Sequence, residues 1–336
     1  NINMLNLYED YHFPYDELIK HKEDFIKLQE YIYENRIYFK DDLNIPIDNT
    51  IQASEFRFTN NGIDVDMSGV TCTSNTIENV LHPLSDLIDN LVNSKLNRVY
   101  IIENSPENLL QSFLTHPKIV YQHNPANPGF GASHNIGLNN AVESGFDYHF
   151  VINPDIHLVP DVIERMISIM EKDTSIGMMM PRVEYPDGSV QYLPKLLPSP
   201  FSILRRKLKI PQRIHEAFVN IYELRFVDEQ LTYSCPILSG CFTLFRLSAV
   251  KEIGYYDERY FMYWEDWDLS RRMHRKYKTL YSPEAKVQHE YHSGANRSMK
   301  LFFIYIKSMI TYFNKWGWFF DDERKNINKR TLSYFK

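Results

Sequence analysis

Cysteine is scarce: the 336 residues hold three, Cys72, Cys235 and Cys241. An odd number without Cys-x-x-Cys spacing argues against a disulfide framework or a zinc site, and for a reducing compartment. Glycine is low, at 12, and together with 17 prolines it shows no triplet period. That excludes collagen-like and low-complexity chains. Positive charge is in deficit, with 37 Lys and Arg against 43 Asp and Glu, a formal net charge of −6. Phosphate neutralisation supplies most nucleic-acid affinity, so no nucleic-acid partner is expected. No apolar run reaches the roughly 18 residues that a bilayer span needs. Asn1 opens an acidic, aromatic segment unlike a signal peptide, and the missing initiator Met reads as trimming.

What is present is ample core material: 43% of residues are hydrophobic and 14% aromatic. The length predicts about two domains, or one large α/β domain with additions. Residues 1–62 differ in texture from the rest and read as an N-terminal extension or small accessory subdomain. Within them, Leu18, Phe25, Leu28 and Ile32 have helical spacing, and Asn61-Gly62 closes an expected hairpin between 56–58 and 63–66. From Met67 the pattern alternates: strand 68–73, helix 80–94, strand 98–103, strand 118–122, helix 132–144 and strand 147–152. Apolar strands alternating with helices predict an α/β fold with a mostly parallel, Rossmann-like sheet flanked by helices. Ligands of such sheets bind beyond the carboxyl ends of the strands, where Thr73-Ser74-Asn75, Glu103-Asn104-Ser105 and Asn153-Pro154-Asp155 fall. Further on, the expectations are a strand pair around Pro186-Asp187-Gly188, a Pro-rich basic stretch at 194–215, strand 241–246, helix 265–277, short strand 285–288 and a helical end from Ser298.

Four segments carry candidate chemistry. Asn153-Pro154-Asp155-Ile156-His157 ends a buried strand. Asp155 suits Mg2+ or Mn2+, which take one or two carboxylates plus substrate phosphates, although Asn-Pro-Asp is also an ordinary turn. Trp264-Glu265-Asp266-Trp267-Asp268 opens a helix, where acidic residues favour the macrodipole in any case. Crowding of three carboxylates is expected to raise at least one pKa, which suits a general base. His289 would end a strand, with His292 three residues on; an imidazole beside an Asp site tilts the metal towards manganese. Residues 124–137 form a Gly-rich loop entering a helix, where backbone amides can approach a phosphate, but without P-loop or Gly-x-Gly-x-x-Gly spacing.

Taken in order, residues 127–137, 151–156, 239–246, 254–272 and 287–294 resemble the family 2 inverting glycosyltransferases of the GT-A fold. The resemblance is nearest the rhamnosyltransferase and galactofuranosyltransferase branch. It covers roughly residues 67–320 and implies a GT-A domain at 63–297, with a nucleotide-sugar half at 67–157 and an acceptor half at 158–297, followed by a helical segment at 298–336. It implies Asp266 as catalytic base with Glu265 as acidic neighbour, Asp155 and His289 in the metal site, and His157 as a further metal candidate. Asn153 stands where many members carry an Asp. Thr73, Asn75, Glu103, Asn127, Gly131 and Asn135 would border the nucleotide-sugar.

The activity so implied is transfer of a sugar, by preference rhamnose from its deoxythymidine diphosphate, to a glycan or lipid-linked glycan, with Mn2+ or Mg2+. The setting is bacterial surface polysaccharide synthesis, O-antigen or capsule, on the cytoplasmic side. A uridine diphosphate hexose or galactofuranose donor is the alternative, as is a non-catalytic binding module of the same fold. Residues 194–215 and 301–320 each read as loop or core helix, or else as a peripheral contact with anionic lipid at the inner membrane face. Oligomeric state stays open.

Overall fold

A computed structural model describes residues 74–335 except 109, 112–113, 208–211 and 290–298; the side chains of residues 74–83 and of Lys207 lie outside the description. The expectations for residues 1–62, strand 68–73, Thr73, the Asn75 side chain and His292 therefore fall outside the described residues.

Helix α1 (Ser74–Asn93) starts six residues before its expected boundary and runs through Pro83. Leu84, Leu87 and Leu91 are buried at helical spacing on its inner face. β1 (Val99–Glu103) and β2 (Ile119–His123) pair in parallel, Val99 opposite Ile119 and Glu103 opposite His123. Then come α2 (Phe130–Glu143), β3 (Tyr148–Ile152), β4 (Ile156–Leu158), α3 (Val162–Lys172) and β5 (Ile176–Glu184). Helices α4 (Pro200–Lys207) and α5 (Gln212–Tyr222) follow, then β6 (Tyr233–Ser234), β7 (Phe242–Arg246), α6 (Leu247–Ile253), α7 (Glu265–His274) and β8 (Lys278–His289). Helices α8 (Met299–Trp316) and α9 (Asp322–Ser333) close the described chain.

The larger sheet has the order β3-β7-β5-β8-β4, with β6 also on β8. Among the described residues β5–β8 is parallel, whereas β3–β7, β5–β7, β4–β8 and β6–β8 are antiparallel. The α/β architecture with a sheet flanked by helices holds, but this sheet is mixed rather than mostly parallel. The reason is the return of β7 and β8 from the second half of the chain, whose direction local pattern does not specify.

Period-two alternation divides the core between the two faces. Met178, Met180 and Phe245 pack with Leu138 and Ala141 of α2, while Met179, Val183, Phe242 and Leu244 pack with Met166 and Met170 of α3. Each such fully buried side chain contributes about 1.5–3 kcal/mol.

Three local expectations are corrected. Strand 285–288 is the end of the 12-residue β8, which passes through Pro283. A register shift, in which Pro181 opposite Ser282 is followed by Arg182 opposite Lys286, absorbs the proline. Within 194–215, residues 200–207 and 212–215 are helical rather than loop: α4 and the start of α5 form there, with Ile203 buried. The helical end is broken at Gly317 (φ +92°), and Asp321 caps α9 by accepting from the Arg324 N–H at 2.9 Å.

Candidate functional site

The expected metal side and the expected base side meet across one turn. Asn153 donates its N–H to the Cys241 carbonyl at 2.8 Å. One residue earlier in that turn, Gly240 donates its N–H to Asp266 Oδ2 at 3.1 Å. Ser239-Gly240-Cys241 therefore ties the end of β3 to the start of α7. The buried Cys241 thiol is pushed up to about 12, chiefly by burial and further by the negative charge of both Asp155 and Asp266.

On the metal side, Ile156 of β4 pairs with His289 of β8, which sets Asp155 against the imidazole: Oδ2 lies 3.2 Å from His289 Nε2. Gln191 orients that ring. Its Nε2 donates to the His289 carbonyl at 2.7 Å, so its Oε1, 3.1 Å from Nδ1, is the acceptor and Nδ1 carries the proton. Nε2 then faces a carboxylate oxygen, a contact that a proton or a cation must bridge. Buried oxygens add to this: Asp155 Oδ1, Asn153 Oδ1 and Asn127 Oδ1 have no hydrogen-bond partner. Hard divalent cations take oxygen donors, and an imidazole admits manganese, so the residues present fit such an ion. Among the described residues no group of three His, Cys, Asp or Glu gathers within metal-holding distance. His157, opposite Gln288, lies on the alternate face of the strand pair from Ile156 and His289.

On the base side, Tyr263 (φ 67°) and Trp264 (φ 71°) both adopt left-handed backbone immediately before α7. Non-glycine residues there cost on the order of 1–3 kcal/mol each and persist only when the surroundings over-determine them. Trp264 is held by Trp267, Tyr305, Tyr312 and Phe313, with ring centroids 4.5 to 5.5 Å away. The resulting kink aims Asp266 at the Gly240 turn, while Asp268 points into the protein. There Asp268 pairs with Arg272 at 2.8 Å and Lys315 at 2.7 Å and accepts from Trp316 Nε1 at 2.8 Å.

Asp266 and Asp268 thus point apart, and burial rather than like-charge crowding is the leading cause of the raised pKa. Asp266 is raised to about 6 by burial, against the lowering pull of the Gly240 and Trp267 N–H groups and the Lys195 charge. Glu265 is buried beside it.

The Gly-rich loop serves this side too. A Cβ on Gly129 would lie 2.1 Å from the Phe261 carbonyl oxygen, and Phe130 donates its N–H to that oxygen at 2.7 Å. Gly131 abuts Tyr256, whose Cβ would be 2.9 Å from an added methyl. Asn135 donates to the Tyr256 carbonyl and to Glu258, and accepts the Tyr256 N–H, each at 3.0 Å. Gly131 and Asn135, expected beside the nucleotide-sugar, dock α2 on the segment that leads to Asp266. Glu103 is buried at the end of β1 and accepts from the Leu110 N–H at 3.2 Å and from the Tyr121 hydroxyl.

Sequence reasoning missed Gln191 and Lys195. Both follow the Asp187-Gly188 turn on a stretch with no recognisable pattern. Their partners, His289 and Ile237, are distant in sequence.

Residues 70–254, more than half of the chain, match the family described as glycosyl transferase family 2. An N-acetylglucosaminyl-diphospho-decaprenol L-rhamnosyltransferase of Mycobacterium tuberculosis is 32% identical over 147 residues, 43% of this chain and 47% of that protein. The low-salt glycan biosynthesis hexosyltransferase Agl10 of Haloferax volcanii is 25% identical over 182 residues, 52% of this chain and 53% of Agl10. The chain spans about half the length of these curated relatives. A crystal structure of GalNAc-T7 with UDP, GalNAc and Mn2+ aligns at a TM-score of 0.46 and 15% identity, over 62% of this chain and 40% of that one.

Proposed function

The chain belongs to glycosyl transferase family 2, and we propose that it transfers a sugar from a nucleoside diphosphate to an acceptor hydroxyl by a single inverting displacement. The observation that carries this reading is the turn that joins Asp155–His289 to Asp266 through 2.8 Å and 3.1 Å hydrogen bonds. One side has oxygens for a cation, the other a carboxylate that can take a proton.

Asp155, His289 and the Asn153 amide oxygen would hold Mn2+ or Mg2+, which when bound supplies positive charge against the departing diphosphate. Asp266 takes the proton of the attacking hydroxyl. With its pKa raised to about 6, it is ionised at neutral pH yet basic enough to accept one. Glu103 and Asn127 would border the nucleoside, as the resemblance also implies for Thr73 and Asn75. A single displacement needs no protein nucleophile, and Cys241 is too strongly protonated to serve as one.

The leading donor is deoxythymidine diphosphate rhamnose, in keeping with the rhamnosyltransferase relative. The acceptor is a glycan, in the first instance lipid-linked, placed on a bacterial surface-polysaccharide route. Among the described residues no helix is long and apolar enough to cross a membrane. Of the two candidate peripheral contacts, 301–320 directs Leu301, Tyr312 and Phe313 into the core and leaves Phe320 exposed, whereas the α4–α5 region exposes Phe201 and Ile214 beside the basic Arg205 and Arg213. That supports membrane contact through 194–215.

Thermal unfolding with each nucleoside diphosphate, with and without Mn2+, tests the reading. A ligand at 100-fold its dissociation constant adds about 2.7 kcal/mol of stability. Stabilisation by one nucleotide and only with metal is expected; stabilisation by none removes the donor site.

A further inference from the structure

Helix α8 grips the segment that aims Asp266, through residues that the transfer chemistry above does not use. Ser308 of α8 is buried and donates its hydroxyl to the Met262 carbonyl at 2.8 Å, immediately before the left-handed pair Tyr263 and Trp264. Tyr312 and Phe313 pack on the Trp264 ring, with centroids 5.2 Å and 5.5 Å away. In the last turn Lys315 Nζ bridges two acids, standing 2.7 Å from Asp257 Oδ2 and 2.7 Å from Asp268 Oδ1. Trp316 donates its Nε1–H to the same Asp268 oxygen at 2.8 Å. The contacts therefore fall before, on and after the two strained residues.

The start of the segment is drawn to the same point. Arg272 donates from Nε to Asp268 Oδ2 at 2.8 Å, and its Nη groups donate to the carbonyls of Ile253, Gly254 and Tyr255 at 2.9, 3.0 and 2.6 Å. Asp268 is fully enclosed, so these charge-assisted bonds act away from water and gain strength from it. Asp257 and Asp268 stand on opposite sides of the kink, and one ammonium closes the loop between them. Left-handed backbone without glycine persists only where the surroundings over-determine it. Helix α8 supplies such surroundings from outside the segment. This clamp lies beyond residues 70–254, the part of the chain that the family match covers.

We propose that Lys315 is a positioning residue for the transfer: by tying Asp257 to Asp268 it fixes the kink at Tyr263 and Trp264, and through the kink it holds Asp266 against the Gly240 turn. This rests on the reading of Asp266 as the base. Lys315 acts at one remove, through Asp268, whose side chain points away from the turn. Without the bridge the kink is free to relax towards ordinary backbone, and the Asp266 carboxylate moves out towards water.

The carboxyl 13C resonance of Asp266, assigned by its loss in Asp266→Asn, reports that movement, because its midpoint near pH 6 is set chiefly by burial. It is followed in full-length wild type, Lys315→Met and Lys315→Arg, beside the calorimetric affinity for deoxythymidine diphosphate or uridine diphosphate with Mn2+. The ionisable groups around Asp266, namely Glu265, Tyr256, Cys241 and Lys195, are the same in every variant. In Lys315→Met the midpoint is expected to fall by about one pH unit or more, towards that of an exposed carboxylate, with nucleotide affinity within about twofold of wild type. Lys315→Arg keeps the charge and can reach two acids, so it should restore about half of the shift or more.

An unchanged midpoint in Lys315→Met overturns the proposal. A rise also overturns it, because Lys315 would then act on Asp266 by its charge and not by position. So does a fall matched by lost nucleotide affinity, which marks a general loosening of the fold. If Lys315→Met does not fold, Asp257→Asn cuts the other end of the bridge and leaves Asp268 paired. A smaller fall of the midpoint is expected there, and none at all overturns the proposal. Should neither nucleotide bind the wild type with metal, it is the transferase reading that fails, and the Asp266 midpoint still decides whether Lys315 holds Asp266 in place.

Discussion

The two sides of the Gly240 turn are built by opposite rules. On the metal side, Asp155 and Asn153 keep buried oxygens without hydrogen-bond partners, and Asp155 Oδ2 lies 3.2 Å from His289 Nε2. On the base side the acids are surrounded by donors, and it is donors, Trp264 Nε1 and Arg271 Nε, that stay buried without a partner. Asp268 is enclosed by Arg272, Lys315 and Trp316, and Arg271 forks onto Asp321 with two 2.8 Å bonds while Trp316 lies 4.2 Å from its guanidinium. Unpaired acceptors suit the proposed cation, since any internal donor would compete with the ion. A site that must hold a kinked backbone needs the reverse, a dense set of contacts that outweighs about 1–3 kcal/mol of strain at each of Tyr263 and Trp264.

The contrast can be broken most severely at Asp266. Replacement by Asn is expected to lower transfer about a thousandfold or more, measured as turnover at saturating donor, while metal-dependent nucleotide binding stays near wild type. The same change should stabilise the fold above pH 6. Asp266 has a folded pKa raised to about 6, so its protonated form is favoured on folding, and stability is lost as pH rises from about 4 to 6. Asn escapes that loss, by up to about 3 kcal/mol at pH 7 on unfolding curves. A variant that is both active and no more stable would show that Asp266 is neither base nor buried carboxylate.

Next in size is Gly129→Ala. With φ +100° and a Cβ 2.1 Å from a backbone oxygen, it is expected to cost about 3 kcal/mol or more and to impair the base side through the Phe261 segment. Gly188→Ala is the control. Its φ is +84° but nothing lies within 4 Å, so only about 1 kcal/mol of backbone strain is expected in the melting temperature.

Gln191→Ala probes the metal side without touching the cation. Loss of the group that fixes the His289 tautomer should weaken Mn2+ affinity about 10–100-fold with little change in stability. Equal Mn2+ affinity in the variant would remove His289 from the metal site. The mildest test is the pH profile: turnover limited by Asp266 should rise to half its plateau near pH 6 and be flat above it.

Much of the first half was legible locally. Strands 98–103, 118–122 and 147–152 lie within a residue of β1, β2 and β3, because apolar runs between turn residues leave few other choices. Pro283 hid the first seven residues of β8, since a proline inside a strand is tolerated only where a register shift removes its partner. The basic stretch hid α4 and α5 because their inner faces are short: Ile203 on one, Val219 and Tyr222 on the other. At the site, Asp155, Asp266 and His289 stood out by motif. The packing contacts of Asn135 and Gly131 with the 256–258 segment were not legible, because a loop rich in small and amide residues serves packing as readily as ligand contact. Gln191 and Lys195 carried no local signal.

Composition and motif order alone determined that this is an α/β chain with carboxylates and a histidine at the expected intervals, since periodicity and residue chemistry are properties of short segments. Which way β7 and β8 run, why Asp266 rather than Asp268 is available, and what turns the His289 ring were decided only by tertiary structure. Each depends on contacts between segments up to about a hundred residues apart, whose free energy exists only once the chain has closed around them.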